Sequence, residues 1–360
     1  MTPSTHFLQD ILRQPEEMLE AIAFLTGAGE KPLREASELI KSSDNVLLTG
    51  IGASWHAAMG AGSLLQTSGK PACLREAGEL LHFAAIPSGS VIIAISRTGR
   101  SIEIVQLLEK ARKVGAPVIG VTNSSDGPLA RESKVALVIP TRMDHAISVN
   151  TYSTPLIAAA ALGASVTGNW DSIVPGLKQA IEALPSQVEI WKTQLETTKW
   201  LKDSARYYFL ARGGSIGTCH EARLLWEEGA KTPATAMSTS GFRHGPQEIV
   251  RPGVRFGMWI DQSQMREQDL AVAADLRELG ASVMLVGENL PSDAADLVCH
   301  LPASPPNWQF AIDAIPAQLA AERMSRLAGV DCDSFRVCSY VVEDEHGLLR
   351  RKTEASPNAG

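Results

Sequence analysis

The chain has 360 residues, more than a single hydrophobic core usually holds, so we expect two domains. Its 44% hydrophobic and 20% charged content is ordinary for a globular protein. The formal net charge of −7 argues against a binder of nucleic acid or of an anionic membrane, but it is compatible with a small anionic ligand held by a few local donors.

The cysteines and the N-terminal sequence indicate in which cellular compartment the protein is expected. The cysteines are odd in number, scattered and without a CxxC pair: Cys73, Cys219, Cys299, Cys332 and Cys338. This pattern is typical of free thiols in a reducing cytosol rather than of a disulfide framework or a zinc site. The first residues lack a basic-then-apolar signal pattern, and the most apolar stretch, 155–166, is too short to span a bilayer. We expect a cytoplasmic protein that holds no metal or cofactor.

The first half of the chain alternates β-rich runs with helical stretches. An amphipathic helix is predicted over residues 8–25, interrupted near Pro15. Strands are predicted at 45–49, 91–96, 117–121 and 135–139, and helices at 54–65, at 101–114 and from residue 155. Such alternation indicates βαβ units and a buried parallel sheet.

The second half repeats this order, with strands predicted at 207–211, 256–260, 282–286 and 297–301. Two strand pairs, one of them VALVIP at 135–140 against LVCHLP at 297–302, share an offset of 162 residues, which indicates duplication. We therefore predict an α/β fold of two tandem domains, each a parallel sheet flanked by helices in the flavodoxin-like, doubly wound manner. The predicted boundaries are a helical segment at 1–34, a first domain at 35–168, linking helices at 169–203, a second domain at 204–342 and a polar tail at 343–360.

The first strand-to-helix junction, residues 49–54 (TGIGAS), combines a tight glycine turn with Ser54 as a candidate helix cap. A dinucleotide-binding fingerprint needs a third glycine where this chain has Trp55. A Rossmann cofactor site is therefore not expected.

Two further junctions in the first half are rich in hydroxyl groups. In residues 96–101 (SRTGRS), Gly99 permits close backbone approach and Ser101 is a candidate N-cap; in residues 148–155 (SVNTYSTP), Thr154 would be the cap and Pro155 the first helical residue. One such loop alone is more often only a cap. Because several loops of this kind meet at one edge of a parallel sheet, where helix N-termini favour anions, we predict a phosphate site in the first domain.

The second half contributes candidate acid–base residues. In the helical segment TCHEARLLWEEGA (218–230), Glu221 and Glu228 share a face with two leucines, and a carboxylate on a packed face is costly unless it is hydrogen-bonded or has a chemical task. Alternatively, Glu228, just before Gly229, would be only a half-exposed residue at the end of the helix. His244 lies in a loop bounded by glycine and proline, and a lone loop histidine is usually only a surface residue. Only together do Glu228 and His244 suggest an acid–base pair.

These motifs resemble the sugar isomerase (SIS) family over about residues 12–342. The SRTGRS loop resembles the family's S-x-S-G-x-[ST] phosphate loop. The segment from Glu221 through Glu228 to the sequence RHGP at 243–246 resembles the isomerase half of glucosamine-6-phosphate synthase and related amino-sugar-phosphate deaminases.

The resemblance implies roles for particular residues. The sugar phosphate would be held by Ser54, Ser96, Arg97, Thr98 and Ser101. The sugar would contact Gly52, Val149, Thr151 and Tyr340. Glu228 would move a proton between C1 and C2, and His244 would assist ring opening in the site of a neighbouring subunit, so a homodimer without a cofactor is expected.

The chain departs from the family pattern at four points. The family's glutamine-hydrolysing part does not precede the isomerase-like part, which disfavours a glutamine-dependent synthase. Leu225 stands in place of a lysine one turn before the catalytic glutamate, and Tyr340 replaces the ring-opening lysine, so Tyr340 would at most donate a hydrogen bond. Arg97 replaces a glutamine and adds a fixed charge suited to phosphate.

Three functions remain open on the sequence. The first is interconversion of an amino-sugar 6-phosphate and a ketose 6-phosphate, with release of ammonia. The second, which needs the same base, is a ketose–aldose phosphosugar isomerase or a deglycase acting on a fructosamine 6-phosphate. The third is a non-catalytic phosphosugar sensor, which is disfavoured because no basic helix-turn-helix segment is evident.

Overall fold

Two five-stranded parallel sheets form the frame of the computed structural model, which describes residues 4–262, 264–345 and 347–348. The strands of the first sheet are β1 (Asn45–Thr49), β2 (Ala72–Leu74), β3 (Ser90–Ile95), β4 (Val118–Thr122) and β5 (Val135–Val138). Those of the second are β6 (Arg206–Ala211), β7 (Ala234–Ser238), β8 (Val254–Trp259), β9 (Ser282–Gly287) and β10 (Leu297–His300). Each predicted strand lies within two residues of an observed one.

Helices surround both sheets. The first half contains α1 (His6–Leu25), α2 (Glu30–Ser42), α3 (Ala53–Thr67), α4 (Ala77–His82), α5 (Ile102–Val114), α6 (Pro128–Glu132) and α7 (Asn150–Val166). Then follow α8 (Trp170–Glu182), α9 (Leu184–Thr197), α10 (Ser215–Glu228), α11 (Thr239–Phe242), α12 (Arg266–Glu278) and α13 (Ile315–Ala328), with short 3-10 turns at Pro246–Ile249 and Gln309–Ala311. Within the described ranges, no helix combines the length and apolar character needed to cross a membrane.

The strand order is the same in both sheets, β2-β1-β3-β4-β5 in the first and β7-β6-β8-β9-β10 in the second. This is the flavodoxin-like doubly wound order, so the predicted fold class is confirmed. Strands β2 and β7 have no counterpart among the predicted strands. Both are edge strands without fully buried residues, and they therefore lack the apolar runs that mark the central strands.

One large hydrophobic core joins the two halves of the chain. It contains almost the whole of α7 together with buried residues of α3, α10 and α13. Smaller clusters lie under the outer helices of each sheet. The predicted domain boundaries remain a prediction, because the two sheets share this central layer rather than each closing its own core.

Three local predictions about helices were wrong. Helix α1 runs uninterrupted through Pro15, because its buried residues on both sides of the proline pack into the core and outweigh one lost backbone hydrogen bond. Helix α3 has Gly52 at its N-cap, with φ of +57°, so Ser54 lies inside the first turn. Helix α7 begins at Asn150, which places Thr154 and Pro155 in its second turn.

The early start of α7 is explained by a carboxylate outside the predicted loop. Asp144 is buried and accepts hydrogen bonds from the backbone N–H groups of Val149, Asn150 and Thr151, at 3.0, 3.1 and 2.9 Å. It therefore performs the capping that was predicted for Thr154. The Thr154 hydroxyl instead donates to the carbonyl of Asn150 at 2.9 Å.

Candidate functional site

A cavity of about 190 Å³ lies beyond the carboxyl ends of β1 and β3. In a doubly wound sheet this is the switch point, where neighbouring connections leave for opposite faces and ligands bind. Four parts of the chain wall the cavity: the loops after β1 and β3, the segment 146–148 that precedes α7, the C-terminal turn of α10, and the segment 335–342 that follows α13.

The loop after β3, residues 96–101, is shaped by its own side chains. The buried Ser96 Oγ accepts a hydrogen bond from the Gly99 N–H at 3.1 Å, and Thr98 Oγ1 accepts from the Arg100 N–H at 3.3 Å. Gly99 has φ of +66°, and a Cβ there would lie 2.8 Å from the Cβ of Leu129. The loop therefore requires glycine at this position and holds its hydroxyl groups in a fixed arrangement.

Two helix N-termini meet at the cavity. Ser101 is the N-cap of α5, as predicted, and its hydroxyl lines the cavity without making a capping hydrogen bond to the helix. Gly52 and Ser54, at the start of α3, line the cavity from the other side. Free N–H groups and hydroxyls at helix N-termini are suited to an anion.

The two arginines of the loop have separate surroundings. Arg97 lines the cavity, donates to Ser148 Oγ at 3.1 Å and to the Tyr340 carbonyl at 2.6 Å, and its guanidinium lies 3.9 Å from the centre of the Tyr340 ring. Arg100 lies outside the cavity and forms an ion pair with Asp126 at 2.8 Å. Only Arg97 is placed to act on a ligand.

Glu228, the last residue of α10, contributes a carboxyl group to the cavity wall. Burial raises its pKa from 4.5 to about 7; Glu221 raises the pKa further, and Arg97 and Lys231 oppose the shift. Lys231 also donates from Nζ to the Glu228 carbonyl, which ties the end of the helix in place. A carboxyl group with such a pKa is suited to accept and return a proton near neutral pH.

A buried pair stands two helical turns behind Glu228. Glu221 Oε2 lies 2.7 Å from Nδ1 of His56 on α3, and both side chains are buried. Burial raises the pKa of Glu221 and lowers that of His56, so the neutral form of each is favoured. The sequence analysis placed Glu221 on the packed face, but its partner is 165 residues away and carries no local signal.

The segment after α13 closes one side of the cavity. Lys231 donates to the Ser334 carbonyl at 2.9 Å, and the Tyr340 hydroxyl donates to the Asp144 carbonyl at 3.2 Å. The Val342 carbonyl accepts from the N–H of Ile102 at 3.0 Å, at the N-terminus of α5. The sequence analysis assigned only Tyr340 of this segment to the site.

The structure leaves three predicted site residues off the cavity wall. Val149 and Thr151 are buried at the start of α7 and are held by Asp144. His244 is exposed in the loop after α11 and does not line the cavity of its own chain. Their proposed roles remain predictions. Ser148 and Leu224 line the cavity and were not predicted as site residues.

The chain is similar to known proteins in both sequence and structure. Residues 38–165 match the family model of the SIS domain. The first half of the chain thus contains a SIS domain. The family resemblance drawn from the phosphate loop is thereby confirmed, since the matched region contains β1, β3 and both of the loops that wall the cavity.

The whole chain is 25% identical over 341 residues to the glutamine–fructose-6-phosphate aminotransferase (isomerizing) of Pyrococcus horikoshii, covering 92% of this chain and 56% of the relative. The chain thus spans little more than half the length of the curated relatives that it matches. Among solved structures, it matches the C-terminal domain of the glucosamine-fructose-6-phosphate aminotransferase from Francisella tularensis with a TM-score of 0.81, at 20% identity, covering 92% of this chain and 98% of the other.

A second solved structure, a glucosamine-6-phosphate deaminase from Thermotoga maritima, is matched with a TM-score of 0.77 at 24% identity, covering 94% of this chain and 99% of the other. At this level of identity the match establishes the fold. The two paired sheets of this chain are therefore arranged as in these two structures.

Proposed function

We propose that this protein interconverts an amino-sugar 6-phosphate and a ketose 6-phosphate, releasing ammonia when the amino sugar is consumed. The observation that carries the proposal is the position of Glu228. This carboxyl group, with a pKa of about 7, shares one cavity with two hydroxyl-bearing helix N-termini. The names of the aminotransferase relatives and of the deaminase with the same fold support this choice of substrate.

The helix N-termini would bind the phosphate end of the substrate. Hydroxyls of Ser54, Thr98 and Ser101 line the cavity beside the N-terminal ends of α3 and α5, and Arg97 adds a positive charge. Anchoring the phosphate restricts the sugar chain, so that its other end meets Glu228 in a limited set of orientations.

Glu228 would transfer the proton. In the open-chain amino sugar, its carboxylate takes the proton from C2, which leaves an enolamine across C1 and C2. The protonated carboxyl returns that proton to C1, giving a C2 imine; water then adds to C2 and ammonia leaves, so that the ketose phosphate remains. A base that must both take and return a proton is most effective when its pKa lies near the working pH.

His244 would serve ring opening in a second copy of the chain. Its exposed position, away from the cavity of its own chain, is compatible with a site completed across a homodimer interface. Tyr340, whose hydroxyl is held by the Asp144 carbonyl, lacks the amine needed for a Schiff base, so ring opening would rely on hydrogen bonding and proton transfer.

The test is incubation with glucosamine 6-phosphate while ammonia and fructose 6-phosphate are measured. We expect both products from the wild type and at least a hundredfold slower turnover in Glu228→Gln, because the amide of glutamine cannot accept the proton. Glu227→Gln is the matched control, since Glu227 pairs with Arg223 at 2.8 Å and lies outside the cavity.

Two other outcomes would indicate a different function. If the wild type forms no ammonia from glucosamine 6-phosphate but releases an amine from a fructosamine 6-phosphate, the protein is a deglycase. If a panel of 6-phosphosugars binds to wild type and to Glu228→Gln alike and none reacts, the protein is a sensor.

A further inference from the structure

Lys231 lies in the turn after α10, three residues beyond Glu228, and its backbone has an uncommon conformation. Its φ is +52°, in the left-handed region that glycine adopts without strain and a lysine does not. Backbone strain of this kind is concentrated at positions where a side chain has a task. The proposed function makes no use of this side chain.

The ammonium group of Lys231 joins two parts of the cavity wall. Nζ donates to the main-chain carbonyl of Glu228, at the end of α10, and to that of Ser334 at 2.9 Å. Ser334 directly precedes the segment 335–342, which forms one wall of the cavity. An ammonium beyond the C-terminus of a helix is also favoured by the negative end of the helix dipole. Lys231 therefore fixes the end of α10 relative to the segment after α13.

The charge of Lys231 also acts on the Glu228 carboxyl group. Its charged neighbours are, in order of decreasing effect, Glu221, Arg97, Lys231 and Glu227. The Cys338 thiol of the segment after α13 is kept neutral, because burial and the nearness of Glu228 raise its pKa. Lys231 lowers the pKa of Glu228 against the larger effect of burial. Loss of the ammonium should therefore raise this pKa further.

We propose that Lys231 is a positioning residue for Glu228. Its ammonium holds the end of α10 against the segment after α13 and so keeps the Glu228 carboxyl group at a fixed place in the cavity. A lysine suits this task because its rotatable donors can serve two carbonyl groups at once. The inference rests on the proposed function for the reaction that Glu228 performs, but the effect of Lys231 on Glu228 can be measured without turnover.

Three substitutions separate the backbone strain, the hydrogen bonds and the charge. Lys231→Gly relieves the strain and removes the amine, Lys231→Met removes the amine but keeps the length of the side chain, and Lys231→Arg keeps the charge and the donors. Lys192→Met is the matched control, since Lys192 pairs with Glu189 at 2.9 Å on α9, away from the cavity wall. Because Lys231→Gly is free of strain, its Tm should be no lower than that of Lys231→Met.

The first measurement is a carbon-13 NMR titration of the full chain, labelled at its glutamate carboxyl groups. The Glu228 signal is identified by its absence in Glu228→Gln. We expect the titration midpoint of Glu228 to move about 0.5 to 1 pH unit upward in Lys231→Met and Lys231→Gly, because a nearby positive charge is lost. Lys231→Arg and Lys192→Met should keep the midpoint of the wild type. An unchanged midpoint in both Lys231→Met and Lys231→Gly overturns the inference.

The second measurement is the rate of ammonia release from glucosamine 6-phosphate. We expect kcat at pH 7 to fall about tenfold in Lys231→Met and Lys231→Gly while KM changes less than about threefold, because the phosphate-binding loops are intact. Lys231→Arg should restore most of kcat. A change in KM alone, or a fully active Lys231→Gly, contradicts the positioning role. If the wild type releases no ammonia, the proposed function fails, and the NMR titration still decides whether Lys231 acts on Glu228.

Discussion

At Glu228, burial holds the pKa of a carboxyl group near 7 within a cavity that contains hydroxyl groups. If this group is the base, only its ionised form starts the reaction. We therefore expect kcat/KM for glucosamine 6-phosphate to fall about tenfold for each pH unit below about 7. The measurement is a pH–rate profile between pH 5 and 9. Because the phosphate ester of the substrate also ionises, substrate binding is measured over the same pH range as a control. A profile that stays flat to pH 5 would contradict the role of Glu228.

The arginines of the SRTGRS loop allow a paired comparison. Arg97 lies on the cavity wall, whereas Arg100 is paired with Asp126 outside it. We expect Arg97→Ala to weaken binding of a 6-phosphosugar by one to two orders of magnitude, because a charged donor is lost, and Arg100→Ala to change it less than about threefold. Thermal shift and calorimetry with glucosamine 6-phosphate measure both. If the two variants lose binding affinity equally, the proposal that Arg97 binds the phosphate is contradicted.

Single residues also show which parts of the site could be predicted from the sequence and which could not. The hydroxyls of the SRTGRS loop and the carboxyl group of Glu228 were predictable, because loop chemistry and helix spacing are local signals. The contact between His56 and Glu221 was not, since its two halves are 165 residues apart. The enclosure of the cavity by the segment after α13 likewise depends on tertiary packing alone.

At the scale of elements, α7 shows that a capping residue outside the local start motif can determine where a helix begins. Thr154 and Pro155 form a favourable start sequence, yet the helix begins at Asn150 because Asp144 reaches its first N–H groups. Ser101, by contrast, occupies the N-cap position of α5 as the sequence predicts, although its hydroxyl makes no capping hydrogen bond. Short start motifs therefore predict that a helix follows, and less well at which residue it begins.

The capping role of Asp144 leads to a stability prediction. Its carboxylate accepts three backbone N–H bonds and the Thr151 hydroxyl, at 2.6 Å, in a buried setting. Asp144→Ala should lower the free energy of unfolding by about 2–4 kcal/mol, because several buried donors lose their acceptor. Urea denaturation measures the change, and Asp126→Ala, at an exposed position, is the control. An effect of Asp144→Ala no larger than that of the control would contradict this role.

At the scale of the whole molecule, the two halves are joined by one core, and α10 of the second half closes the cavity at the first sheet. The sequence predicted two sheets because their central strands have strong apolar runs. It did not predict the shared core, since burial between helices of different halves has no signature in either half alone.

The dimer proposed for His244 can be tested with two inactive variants. Glu228→Gln and His244→Ala are each expected to be inactive as homodimers. After mixing and subunit exchange, each hybrid has one site with an intact Glu228 and a His244 from the other chain. Random exchange should restore about a quarter of the wild-type activity. If the mixture stays inactive although mass spectrometry shows hybrids, His244 does not act across the interface.

The backbone hydrogen bond between Ile102 and Val342 makes it possible to measure the motion of the C-terminal segment. The N–H of Ile102 belongs to the first turn of α5 and has no acceptor within that helix; among the described residues it donates to the Val342 carbonyl. Its exchange with deuterium should therefore follow the rate at which the C-terminal segment lifts, independently of the rest of α5. Exchange at Ile102 as slow as in the middle of α5 would show that the segment opens only when the helix itself unfolds. The exchange rate of this single amide would therefore report how often the segment opens the cavity, and it can be measured without substrate.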